Sequence, residues 1–215
     1  MRRDRELLIA LLALGIGCAD PMADDESPPP QTRPTTAETT TTTTTVPTTK
    51  PDPVPCSEDP EAERGVNAYM CSPGFALPLA DGKLLDLADY EGQVVLLEFV
   101  TMWCGTCRQQ APQLQAYAEG RADDLVHVIT LIHEDVFGET PTLDDITAWT
   151  SQFSITHPVV SDVDGEAKAS WARGPKMPTP MTYILDQYGV IQFFAGGAES
   201  IDRYDEVIEG LLTAE

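Results

Sequence analysis

The sequence predicts a mixed α/β domain over residues 73–215, preceded by a long stretch with almost nothing to bury. Three observations predict it. The apolar run Val94–Val100 is interrupted only by Glu98, and a second run, Leu125–Ile132, is interrupted by His127. Runs of this length, apolar on both parities, suit strands covered on both faces. Apolar residues recur at helical spacing in the segments between and after them. Further short apolar stretches come in pairs around turn-forming residues, as antiparallel hairpins do.

In chain order, Phe75–Leu79 and Lys83–Leu87 flank the turn signal Asp81-Gly82 and read as a hairpin. The strand Val94–Val100 follows, then a helix carrying Ala111, Leu114 and Ala118 on one face. After the strand Leu125–Ile132, Thr142 is a fitting cap for a helix that places Ile146, Trp149 and Phe153 together. Met181–Leu185 and Val190–Phe194, separated by Asp186–Gly189, read as an antiparallel pair. Ile201, Tyr204, Ile208 and Leu211 mark a final helix.

Ahead of the domain, residues 1–17 have the three parts of an export signal: Arg2, Arg3 and Arg5, an apolar run Leu7–Ile16, and small Gly17 before Cys18. The run is too short to span a bilayer. Gly17-Cys18 resembles a bacterial lipobox, which makes Cys18 a lipidated mature N-terminus, although Gly15 stands where leucine is usual. The alternative is an ordinary signal-peptidase site that discards Cys18. Residues 18–55 are rich in Pro, Thr and acidic residues, with seven consecutive threonines at Thr39–Thr45, and read as a disordered, partly stiff tether. The chain is thus expected outside the cytoplasm, anchored to a bacterial membrane through its N-terminal lipid. With 13 basic and 35 acidic residues its formal charge is −22, which disfavours nucleic acid as a partner.

Five cysteines follow this plan. Cys18 is at the processing site. Cys56 and Cys71 flank a short lead-in, residues 56–72, and in an oxidising compartment a bridge between them is favoured over two free thiols. Cys104 and Cys107 form C-x-x-C directly after a buried strand and at the opening of a helix. Free amides and the dipole at a helix N-terminus favour a thiolate, so Cys104 is the candidate nucleophile. Cys107, one turn inside, is placed to expel a partner from a mixed disulfide. C-x-x-C can also be half a zinc site, but no second knuckle follows, so no metal and no cofactor is expected.

Leu97-Glu98-Phe99-Val100-Thr101-Met102-Trp103-Cys104-Gly105-Thr106-Cys107, followed by Ala111-Pro112, resembles the active-site strand and helix of thioredoxins. From Pro73 onward the chain resembles the exported TlpA/ResA-like branch of that superfamily, within the wider AhpC/TSA-related redoxins. Phe75, Asp81-Gly82, Leu87 and Tyr90-Glu91-Gly92 match its N-terminal hairpin; Phe153–Val159 and Asp162-Val163-Asp164-Gly165 match its pattern before the third helix. The resemblance implies a thioredoxin-like fold, a central mixed β-sheet flanked by helices with an N-terminal β-hairpin extension. It also implies that Thr179-Pro180 is a cis peptide opposite Cys104, leaving Thr179 backbone groups for an extended substrate, and that the helix tolerates Pro112. Trp103 is placed to shield the disulfide and offer a contact surface.

Glu98 stands where thioredoxins have a buried acid. In so apolar a strand a carboxylate is costly, so its pKa is expected to rise and the group to carry the Cys107 proton; the alternative is an edge carboxylate facing solvent. His127, His133 and His157 lack the spacing of a metal site, and Asp123-Asp124 and Asp144-Asp145 read as helix-end and loop charges. The function expected is thiol-disulfide exchange with protein substrates, more in the reducing direction, with a separate redox partner to recycle the enzyme. Two alternatives stay open: a thiol peroxidase, for which Thr101 fits but Leu97 replaces a proline, and a copper-handling protein using the cysteines and a histidine.

Overall fold

The computed structural model describes residues 54–122 and 125–213. The export signal, Cys18, the tether as far as residue 53 and the pair Asp123-Asp124 lie outside the described residues. A short hairpin, β1 (Ala76–Pro78) and β2 (Leu84–Asp86), opens the domain and turns at Gly82, whose φ of +78° is one that side chains rarely adopt. A 3₁₀ turn (Leu87–Tyr90) leads into β3 (Val94–Thr101), α1 (Gly105–Gly120) and β4 (Val126–Glu134). Then come α2 (Leu143–Phe153), β5 (Val159–Ser161), α3 (Glu166–Trp171), β6 (Met181–Leu185), β7 (Ile191–Gly196) and α4 (Ile201–Leu212).

The main sheet has the order β5-β4-β3-β6-β7, with β3, β4 and β5 parallel and β6 and β7 antiparallel to their neighbours. β3 is central, and all eight of its residues are buried. Alternate residues of β3 serve opposite faces. Val94, Leu96 and Val100 pack toward α1, α2 and α4, against Leu114, Tyr204, Ile208, Ile146 and Trp149. Val95, Leu97 and Phe99 pack toward α3 and the hairpin, against Trp171, Leu77, Leu85 and Leu87.

The hairpin strands are shorter than the apolar pattern suggests, β4 extends two residues further, to Glu134, and β7 begins one residue later and ends at Gly196. β5 and α3 escape the pattern of apolar spacing, because three and six residues are too few to display a period. Cys56 and Cys71 are joined in a disulfide. The lead-in they close lies along the outer side of β7: the Tyr69 N–H donates to the Ile191 carbonyl at 2.7 Å, and the Ile191 N–H donates to Met70 at 2.9 Å. An edge strand left open invites pairing with other chains; here the lead-in occupies part of it.

Candidate active site

β3 delivers the cysteine pair. Its end, Thr101-Met102-Trp103, turns directly into α1, with Cys104 at the N-cap in extended conformation and its Sγ accepting the Cys107 N–H at 3.1 Å. A sulfur in that position meets free amides and the positive end of the helix dipole, the arrangement that stabilises a thiolate when the bond to Cys107 is reduced. Cys104 and Cys107 form a disulfide in this structure. Cys107 is fully buried among Val100, Ala111, Ile132, Ile146 and Trp149. Cys104 is 5% exposed, less open than a surface nucleophile, because Thr179 closes over it.

Thr179 touches both sulfurs. Its carbonyl oxygen is 3.7 Å from Cys104 Sγ, and its Oγ1 is 3.3 Å from Cys107 Sγ. The Thr179-Pro180 peptide is cis. Gly196 permits the loop to close, since a Cβ there would lie 2.9 Å from Pro178 Cγ. Trp103 is half exposed: its Nε1 donates to Glu134 Oε2 at 2.8 Å, while the other Glu134 oxygen pairs with Lys168. The ring is thereby fixed as one wall of a groove whose other lining residues include Thr101, His133, Lys168, Met177 and Thr179. The Glu134-Lys168 clamp and the Thr179 hydroxyl are absent from the sequence reading; both depend on contacts between distant elements, and only Thr179 carries a local signal, its place before Pro180.

Glu98 is 1% exposed, on the sheet face covered by α1 and α4, with Thr130 of β4 and Thr182 of β6 beside it in register. Its Oε1 has no hydrogen-bond partner, and loss of hydration pushes the carboxyl up to about 8. It is therefore an interior acid and not an edge carboxylate. The histidines are dispersed. His127 stacks edge-on against Tyr90, His133 is buried beneath the groove, and His157 sits between Thr130 and Gln115. Asp144 and Asp145 occupy the first turn of α2, where Asp145 completes a capping box with Thr142. Among the described residues no three His, Cys, Asp or Glu side chains gather in a group able to hold a metal ion.

A strand-to-helix C-x-x-C pair facing a cis-proline loop, on a mixed sheet of this order, defines a thioredoxin-fold oxidoreductase of the thiol-disulfide class. The chain belongs to the AhpC/TSA family, whose profile matches residues 70–194. It is 32% identical over 130 residues to the thioredoxin-like protein YneN of Bacillus subtilis, an alignment covering 60% of this chain and 72% of YneN. It is 31% identical over 133 residues to the thiol-disulfide oxidoreductase ResA of Oceanobacillus iheyensis, covering 61% of this chain and 62% of ResA. Among solved structures it resembles the exposed lipoprotein thioredoxin of Streptococcus pneumoniae with a TM-score of 0.55 at 26% identity, over 64% of this chain and 99% of that one.

Proposed function

We propose that the protein is an extracytoplasmic reductase of protein disulfides. The observation that carries this is the unequal placement of the two sulfurs: Cys104 at the N-cap of α1 beneath the Thr179 carbonyl, and Cys107 sealed one turn behind it. In the reduced enzyme the Cys104 thiolate attacks a substrate disulfide, forming a mixed disulfide and releasing one substrate thiolate. Cys107, after losing its proton to Glu98, attacks Cys104 Sγ and releases the second. Substrate gains two electrons, the enzyme is left as the Cys104-Cys107 disulfide, and a dithiol partner restores it. Thr179, Pro180 and Trp103 are the surface on which the substrate segment lies. Residues 1–17 are the export signal and Cys18 the lipid anchor, a reading supported by the lipoprotein relative; residues 18–55 are the tether.

Trapping tests the assignment. With a disulfide substrate, Cys107→Ala accumulates a mixed disulfide and Cys104→Ala does not; equal trapping by both variants overturns the roles. A thiol peroxidase is the second reading, favoured by the family match, and it requires peroxide to convert Cys104 to a sulfenic acid at a rate competitive with disulfide exchange.

A further inference from the structure

The groove beside Trp103 holds more than an exchange of sulfurs requires. It encloses about 600 Å³, within the usual size of a ligand site, and two of its lining residues, Trp103 and Thr179, also adjoin Cys104. An extended substrate segment advances about 3.3 Å per residue, so a side chain next to the substrate cysteine has the groove within its reach. The floor is polar. Thr101 Oγ1 and both ring nitrogens of His133 are buried there, near the ends of β3 and β4, and none of them has a hydrogen-bond partner among the described residues. Buried polar atoms are ordinarily paired, so this floor suits the polar tip of an incoming side chain better than a purely apolar one.

The rim supplies the charge. From Ala167 to Leu185, the stretch that runs through α3 and the loop before β6 to the end of that strand, the chain carries Lys168, Arg173 and Lys176 and no acidic residue, in a sequence of 35 acidic and 13 basic residues. Glu134 is the acidic side chain lining the groove, and both of its oxygens are engaged, one by Trp103 and the other by Lys168. Asp164 and Glu166 flank Gly165 at the margin but line a neighbouring recess with Phe75 and Leu77. Arg173 is committed to the Val66 carbonyl and the Phe194 ring. Lys176 is exposed and makes no ion pair with any described residue. The groove thus presents an uncompensated positive charge near the disulfide of a strongly acidic protein.

We propose that this groove selects protein disulfides in which an aspartate or glutamate stands beside the cysteine, with Lys176 recognising the carboxylate. The proposal rests on the reading of the protein as a disulfide reductase. Trp103 and Met177 offer apolar surface to the stem of the acidic side chain, and Lys176 at the rim offers the countercharge to its tip. The net charge of −22 by itself repels such a substrate. At physiological salt that repulsion is screened beyond about 8 Å, whereas a charge met within the groove is screened less, so the local sign outweighs the net one at contact. A lysine beside the substrate cysteine brings two like charges together instead.

Three peptides closed by one disulfide, identical except for aspartate, asparagine or lysine beside the cysteine, test this with the reduced full-length protein. The second-order rate constant for reduction of each is measured, and the aspartate-to-asparagine ratio is read, because a general change in thiol reactivity cancels from it. The wild type is expected to favour aspartate over asparagine about three- to fivefold, the scale of one partly exposed ion pair, with lysine slowest. Lys176→Gln brings the ratio to about one and Lys176→Glu inverts it. Lys83→Glu makes the same change in net charge at the exposed hairpin turn, outside the groove, and keeps the wild-type ratio. Equal rates for the three peptides, a preference for lysine, an unmoved ratio in Lys176→Glu, or an equal shift in Lys83→Glu overturns the proposal and leaves the reductase reading in place. If Lys176→Glu does not fold, an unmoved ratio in Lys176→Gln overturns it equally. Should the wild type reduce none of the peptides, the reductase reading falls and the proposal falls with it.

Discussion

Cys104 and Cys107 are one helical turn apart, and that turn separates two chemical problems. Cys104 needs only to be a thiolate, which the helix N-terminus favours. Cys107, without exposure, needs a base beside it, since water reaches it poorly. Glu98 can accept a proton only in its ionised form, and burial places its midpoint at about 8, so resolution in the wild type should accelerate as pH rises through that value. Glu98→Gln keeps the shape but removes the acceptor. Stopped-flow measurement should show resolution slowed about 10- to 100-fold at neutral pH, with the rise toward pH 8 lost, and formation of the mixed disulfide little changed. Equal slowing of both steps, or of neither, removes Glu98 from the reaction.

Among the elements, length and locality decide what the sequence discloses. α2 is legible because its capping box and three spaced apolar residues are all local, and β3 because eight consecutive buried positions leave one composition. β5 has three residues, and its buried state comes from pairing with β4, which no local pattern records. At the site, the C-x-x-C pair is readable from its spacing between a strand and a helix, Pro180 through the resemblance to thioredoxins, and Glu98 from its incongruity in an apolar run. Its row with Thr130 and Thr182 is not, because register between strands is fixed by tertiary packing. The lead-in shows the same dependence: its cysteines are evident, its contact with β7 is not. Replacing both Cys56 and Cys71 by serine removes a cross-link over 15 positions of sequence separation and should lower unfolding stability by roughly 3 kcal/mol in denaturant titrations. Amides of Tyr69 and Ile191 should lose hydrogen-exchange protection first, as the edge they share opens. Unchanged protection there would mean that backbone pairing, not the disulfide, holds the lead-in.

At the scale of the whole molecule, the long acidic and threonine-rich N-terminal region should separate anchorage from catalysis. Cys18→Ser is expected to move the protein from the membrane to the soluble exported fraction with exchange activity in solution intact; a wild-type mature chain beginning at Asp20 overturns the anchor. Stability of the folded domain, by contrast, is tied to pH through three buried groups of opposite sign. Glu98 is raised from 4.5 to about 8, so the folded state binds a proton that the unfolded chain has released; its contribution is full below 4.5 and is lost as pH climbs toward 8. His133 and His157 are each lowered by burial from 6.5 to about 4, so the unfolded chain binds the extra protons; their contribution is full above 6.5 and is lost as pH falls toward 4. Between about 4.5 and 6.5 the two histidines outweigh the one carboxyl and stability rises with pH, whereas above 6.5 only the Glu98 slope remains, roughly 1 kcal/mol per pH unit. Denaturant midpoints measured from pH 4 to 9 on the oxidised protein should therefore peak near 6.5, and Glu98→Gln should abolish the decline between 6.5 and 8 while leaving the acid limb, where the histidines charge, in place. An alkaline decline of the same slope in Glu98→Gln would assign it to another group or to repulsion among the 35 acidic residues, which salt would then relieve.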